Sequence, residues 1–418
     1  MLCSPATHSV EEGSASAVSF GELTDLVNTG FLPNYRLVVV NEQGTIATQA
    51  GHYERGIVPV EPLTSQSVVS LLSLSKPITN LLALKLIDDG HLALDERVSK
   101  YLPQLDSLQV QQADGTTRKA AREILVKDLL LHTAGFAQNA DLLGWGKVPN
   151  LYAELRIFGL NCLSSDTPET LAEVTARAAT LPLANEPGEK FAYSIATDVL
   201  GRVLEIATGE SFASLIADHI ASPLGLTDLT FQVPAARAGN VAQLYQPLIK
   251  TYPVPGAYQR YEPFSEFATD VVNAGIEPGC ISPGVGLMAS MNDMVHFAEF
   301  LLNDLTLKDG QPFLSQALSQ QVFRHSLDPA LGERPLRESL AYARKDGLSI
   351  ASLAIRPIKG GDLATVADHD FYYWSGFSGS GLWVDKSTGT AGVLLTQFYP
   401  SDRFLIPKLV AKVRASLN

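Results

Sequence analysis

A serine and a lysine three residues apart, in Ser73-Leu74-Ser75-Lys76, are the pair in this chain whose types and spacing most directly suggest chemistry. At the start of a helix such residues project from one side. The lysine can take the hydroxyl proton, and the positive end of the helix favours the negative charge that develops on a nucleophilic oxygen. Pro77 falls in the first turn, where a missing N–H costs little. A helix cap followed by a surface lysine also explains the bare pattern. Two features favour the chemical reading. Ser73 is the only serine three before a lysine, and the helix it opens is strongly apolar. A lysine buried there needs a reason, because an unpaired charge is expensive.

The second candidate is Tyr193, in Asn185-Glu186-Pro187-Gly188-Glu189-Lys190-Phe191-Ala192-Tyr193-Ser194. A turn precedes it and a helix follows, so its phenol can reach a cleft from a loop. Tyrosine acts as a base only when a nearby cation lowers its pKa from about 10, and Lys76 could do so across a domain interface. An ordinary half-buried aromatic is the alternative. The third candidate is Tyr373-Trp374-Ser375-Gly376-Phe377-Ser378-Gly379-Ser380-Gly381, where the glycines suggest close approach of a ligand or another backbone. Such a strand can lend an N–H to an oxyanion. A glycine-rich loop with a core tryptophan fits too.

Other chemistry is less well supported. A Ser-His-Asp hydrolase needs a Gly-x-Ser-x-Gly elbow, which the chain lacks. Asp368-His369-Asp370 cannot all face one ion without unusual backbone, so this reads as a solvated loop, with His369 near enough to the third motif to line a pocket mouth. Lys386-Ser387-Thr388-Gly389 reads as turn chemistry. No metal and no cofactor is implied.

The elements that must position these residues follow from periodicity. An amphipathic helix is expected over 20–27 and strands over 35–40 and 45–50, joined by the turn Asn41-Glu42-Gln43-Gly44. A helix spans 75–89 with Gly90 where a C-terminal cap belongs. Helical stretches at 126–131, 168–179 and 197–207 alternate with loops, and few strand signals occur between about 95 and 280. Strands return at 381–384 and 390–396, and a helix over 403–417 closes the chain. The expected fold is therefore one antiparallel sheet built from both ends of the chain and flanked by helices, with an inserted helical domain. Its sheet domain takes residues 1–95 and 281–418, its helical domain residues 96–280, and the active site lies between them.

Composition bounds the function classes. The chain has 418 residues, 46% hydrophobic and 18% charged, as in an ordinary globular protein. A net charge of -13 and a pI near 5.1 disfavour a nucleic-acid partner. No apolar run is long enough to span a bilayer, and the first twenty residues do not read as a secretory signal. Cys3, Cys162 and Cys280 are far apart, without metal-ligand spacing, and read as reduced and structural. The expected location is the cytoplasm; oligomeric state is left open.

Taken together, the three motifs in their order resemble the serine β-lactamase superfamily, most closely its class C enzymes and the family VIII carboxylesterases. The resemblance runs from about residue 20 to the C-terminus. It includes Leu129-Leu130-Leu131-His132-Thr133-Ala134-Gly135-Phe136, where His132 reads as structural, and the glycine-rich Ser282-Pro283-Gly284-Val285-Gly286-Leu287. It implies the β-lactamase and penicillin-binding-protein transpeptidase fold, Ser73 as the acylated nucleophile, Lys76 and Tyr193 as its general-base pair, and the N–H groups of Ser73 and Phe377 as the oxyanion hole. Two departures stand out. The lactamases' Tyr-x-Asn is here Tyr193-Ser194-Ile195, and isoleucine cannot bond the amide of an antibiotic. Their Lys-Thr-Gly is here Trp374-Ser375-Gly376, without the positive charge. The resemblance thus implies a small-molecule ester substrate, with Ile195, Trp374, Ser375 and Gly376 bordering it. An acyltransferase, or a peptidase or amidase of the D-amino-acid type with weak lactamase activity, are the alternatives on this fold.

Overall fold

The computed structural model describes residues 18–54, 60–137, 151–152, 154–155, 170–247, 261–263, 281–327, 347–356, 371–398 and 405–417. The three cysteines and Asp368-His369-Asp370 lie outside the described residues.

Along the chain, helix α1 (Gly21–Asn28) leads into the hairpin β1 (Asn34–Asn41) and β2 (Gly44–His52), turning where Asn41 and Gly44 are expected to turn it. Strand β3 (Val68–Ser70) runs into α2 (Ser75–Asp88). Then come β4 (Gln109–Gln111), β5 (Thr117–Lys119), α3 (Val126–Leu130), α4 (Leu171–Ala178), α5 (Ala196–Thr208) and α6 (Phe212–Ile216). Strands β6 (Tyr245–Pro247), β7 (Tyr261–Pro263) and β8 (Met288–Ser290) precede α7 (Met291–Leu302). The last elements are β9 (Gly347–Leu348), β10 (Ala354–Arg356), β11 (Phe371–Ser375), β12 (Gly379–Asp385), β13 (Thr390–Gln397) and α8 (Leu405–Leu417).

Seven strands form one antiparallel sheet in the order β2-β1-β13-β12-β11-β10-β9. The N-terminal hairpin pairs with the C-terminal one through β1 and β13, with Val38 opposite Val393, so the sheet is built from both ends of the chain as expected. Strands β12 and β13 are buried along their whole length, because α7 packs on both and α8 on β12. That is why they read as continuous apolar runs rather than as an alternation. Lys386–Gly389 is the turn between them. Between 95 and 280 the helices expected over 126–131, 168–179 and 197–207 are found as Val126–Leu130, Leu171–Ala178 and Ala196–Thr208. The pairs β4–β5 and β6–β7 are additions, each strand only three residues long, too short to leave a legible period.

Helix α2 is the central element. It is buried nearly all round, from Ser75 through Leu84. A helix packed on every side carries no amphipathic stripe. Asn80 fixes it to its surroundings, donating to Leu130 O, Ile350 O and Ser352 Oγ, while Thr79 Oγ1 donates to Pro283 O at 2.7 Å.

Candidate active site

Strand β3 pairs with β8, and the chain leaves it through a single 3-10 turn, Leu72–Leu74, before α2 begins. Ser73 therefore sits in the turn that enters the helix, two residues before its first residue, Ser75. Leu72 carries φ 47°, the left-handed region that costs an L residue about 1–2 kcal/mol. Packing enforces it: Leu71 and Leu72 are fully buried, and Leu71 N donates to Leu287 O. Such over-determined strain is common where a side chain has to be presented.

The phenol of Tyr193 donates to Ser73 Oγ at 2.8 Å. The ammonium of Lys76 stands 4.7 Å from the centroid of the same tyrosine ring and donates to Gly284 O at 2.8 Å. The indole N–H of Trp374 donates to Ser73 O at 3.0 Å, tying β11 to the serine turn. Ser73, Lys76, Tyr193 and Trp374 thus meet, although up to 301 positions separate them along the chain. Burial pushes the Lys76 ammonium down to about 8, partly opposed by the negative charge of Asp198. An amine that exchanges its proton near neutral pH can serve as both acceptor and donor.

The third motif closes a tight turn between β11 and β12, with Gly376 N donating to Ser380 O and Gly379 N to Gly376 O. A methyl on Gly376 would come within 2.5 Å of Leu71 O, so only glycine lets this turn lie against the turn that carries Ser73. Ser375 and Phe377 are half-buried on either side of it. Ile195, in contrast, starts α5 with only 2% exposure and packs with the apolar core.

Three further groups surround the serine that pattern reasoning did not assign. His132, which the sequence reading leaves structural, stacks its ring on Tyr193 at 4.8 Å between centroids. It stands at φ 54°, and burial lowers its imidazole to about 3, helped by the Lys76 charge, so it is neutral. Its carbonyl accepts from Ala192 N and that of Thr133 from Gly188 N, which makes 132–135 the rail along which the Tyr193 loop runs. Gly135 is required there, since a methyl would meet Asn185 O at 2.2 Å. Asp198 and the 282–286 turn complete the surround. In sequence Asp198 is marked only by its place five residues after Tyr193, in the first turn of the helix that follows the Tyr193 loop. Among the described residues no group of three or more His, Cys, Asp or Glu side chains is placed to hold a metal ion.

The arrangement can do acyl transfer through a serine: a hydroxyl in contact with a phenol, a poised amine beside it, and a strand turn pressed against it. Comparisons with known proteins agree. A family model described as Beta-lactamase matches residues 25–415. Esterase EstB of Burkholderia gladioli is 29% identical over 406 residues, which is 92% of this chain and 92% of that protein. The solved structure of EstCE1, described as a hydrolase with promiscuous acyltransferase activity, matches with a TM-score of 0.73 at 22% identity, covering 95% of this chain and 96% of that one. Unliganded simvastatin synthase (LovD) from Aspergillus terreus, as the selenomethionyl derivative, gives 0.71 at 18% identity, over 94% and 95%. At those identities the two structures share the fold with this chain.

Proposed function

The chain belongs to the beta-lactamase family, and from that premise we propose that it is a serine esterase that cleaves small-molecule carboxylic esters through an acyl-enzyme on Ser73. The contact of Tyr193 Oη with Ser73 Oγ, beside a lysine whose proton is labile near neutral pH, carries the reading. Ser73 Oγ attacks the ester carbonyl and its proton passes to the Tyr193–Lys76 pair. The oxyanion is received by the N–H groups of Ser73 and Phe377. Collapse expels the alcohol, which takes the proton back, and leaves Ser73 acylated. Water then attacks the acyl-enzyme, gives its proton to the same pair and releases the acid.

Ile195 and Trp374 support an ester over a peptide-like acid: neither supplies the amide partner or the cation that such a substrate engages. The name of EstB supports hydrolysis, and that of EstCE1 supports acyl transfer to an alcohol as a second outcome at the same serine. In this reading the cleft runs between a sheet unit of residues 1–95 and 281–418, which brings Ser73 and Lys76, and a helical unit of 96–280, which brings Tyr193.

The test is turnover of short and medium p-nitrophenyl esters and of nitrocefin, beside Ser73→Ala. Ester cleavage lost in Ser73→Ala, with little nitrocefin cleavage, is expected. Unchanged ester turnover in Ser73→Ala overturns the mechanism, and strong nitrocefin turnover overturns the substrate class.

A further inference from the structure

Helix α5 brings a buried carboxylate up behind Lys76. Asp198, 6% exposed, lies in the first turn of that helix, and its Oδ1 accepts from Ser282 Oγ at 2.5 Å and from Gly284 N at 3.3 Å. The carbonyl of the same Gly284 accepts from Lys76. Gly284 also separates the two charges. A methyl built on it would stand 3.1 Å from Asp198 Oδ2 and 3.3 Å from Lys76 Nζ, so carboxylate and ammonium face each other across a position where only a hydrogen fits comfortably.

The turn 282–286 is clamped from two sides. From α2, Thr79 holds Pro283 O and Lys76 holds Gly284 O. From α5, Asp198 holds Ser282 and Gly284. The close approach of α5 depends on Gly201, whose hypothetical methyl would strike Pro283 Cγ at 2.2 Å. Nothing in the hydrolysis steps above uses Asp198, yet a carboxylate has been buried next to the amine that those steps require. Burying an anion is costly unless it is compensated.

The geometry points to Asp198 as a positioning residue for Lys76: it fixes the turn that receives the ammonium and supplies the buried negative charge that the ammonium faces. The inference rests on the reading of Ser73 and Lys76 given above. Among the described residues, the titratable groups around Lys76 are Asp198 on α5, Tyr193 in the loop before it and His132 after α3, and the 282–286 turn adds a hydroxyl and backbone. His132 is neutral above about 3, and burial lowers it. Tyr193 carries its proton toward Ser73 Oγ, to which it donates. Among the described residues Asp198 is therefore the group able to supply a negative charge beside Lys76, through the carboxylate that faces the ammonium across Gly284. Burial lifts its carboxyl above the usual range, while Ser282, Lys76 and Gly284 N–H each pull it back toward the ionised form.

Asparagine at 198 can accept the same two donors through its carbonyl, so Asp198→Asn removes the charge and leaves the acceptor. The measurement is the pH profile of kcat/KM for p-nitrophenyl acetate. Its acid limb reports loss of the proton from the Lys76–Tyr193 pair. An anion nearby favours the ammonium, so removing it lets Lys76 release its proton earlier. The limb is expected to move to lower pH by about one unit. Ser282→Ala, which keeps the charge but removes a donor, is expected to leave the limb where it is. A rate loss in Asp198→Asn with no movement of the limb, or a movement upward, overturns the inference and leaves Asp198 a packing residue. Should Asp198→Asn not melt cooperatively, Asp198→Glu and Asp198→Gln ask the same question at equal length: the limb of the Gln variant must lie below that of the Glu variant. Esterase turnover surviving in Ser73→Ala would instead remove the reading beneath it, whatever Asp198 does.

Discussion

Two buried charges in this molecule are held in opposite ways. At the end of β12, Asp385 is 1% exposed and fully compensated: Arg414 Nε donates to its Oδ2 at 2.5 Å, and Ser387 N and Oγ donate to its Oδ1 at 3.1 and 2.6 Å. Arg414 also lies over the Phe371 ring, 5.3 Å from its centroid, so the pair pins α8 to the last hairpin. Lys76 is 3% exposed and has a carbonyl, a ring face and an anion across a glycine. Burial would raise Asp385, but Arg414 and Ser387 outweigh it and hold the carboxyl below its ordinary value. At Lys76 burial wins and brings the proton to about 8. The hairpin charge is locked in one state, and the charge beside Ser73 is left able to change state. Compensation serves structure, and incomplete compensation serves proton transfer.

The comparison is broken most directly at the lysine. Lys76→Met keeps the aliphatic stem and removes the charge. It is expected to cut kcat/KM for p-nitrophenyl esters by about a thousandfold or more, roughly 4 kcal/mol of barrier. Its melting temperature should fall only modestly, because the ammonium's desolvation cost disappears with it and Asp198 keeps Ser282 Oγ and Gly284 N as donors. A melting temperature that falls as far as the activity would mean that Lys76 is a structural charge after all.

The mirror experiment is Arg414→Met. Losing one partner of a buried pair strands the other, at a cost of about 3–5 kcal/mol in stability. Denaturant unfolding should show that loss, while activity per folded molecule stays within about twofold. The pair has its own pH signature. Asp385 has a lowered folded pKa, so its contribution is complete above the unfolded value near 3.9 and is lost as pH falls through the folded one. The stability gap between the parent and Asp385→Asn should therefore hold constant at neutral pH and close only under strongly acidic conditions. A gap that closes between pH 6 and 8 would contradict the assignment.

What could be read from the sequence follows the same division. Ser73, Lys76, Tyr193 and Trp374 were legible because each stands in a short motif whose residue types are unusual together. The sheet joining both chain ends was legible because Tyr35–Val40 and Thr390–Thr396 are strand-like runs with clear turns beside them. Asp198 was not legible as a partner of Lys76: it looks like an acidic residue in the first turn of any helix, and only the approach of α5 at Gly201 turns it inward. His132 was read as structural for a similar reason. Its ring meets Tyr193 through a left-handed backbone at 132 that no local rule requires of a histidine. Ile195 occupies the motif position expected to border substrate, yet the start of α5 carries it into the core.

His132 gives the smallest expected effect and the finest cut. It touches Tyr193 as Asp198 faces Lys76, but it is neutral throughout the working range, since burial holds its imidazole near 3. It can position Tyr193 only by shape. Asparagine tolerates the left-handed backbone that residue 132 adopts, so His132→Asn removes the ring with little backbone penalty. Loss of the stacked ring loosens the phenol that contacts Ser73, and kcat should fall about tenfold with KM little changed. Because no charge is removed, the fall should be the same at every pH from about 5 to 9, and the acid limb should not move. A limb that moved in His132→Asn would mean that the imidazole carries charge in the resting enzyme, and the division between shape and charge around Tyr193 and Lys76 would have to be redrawn.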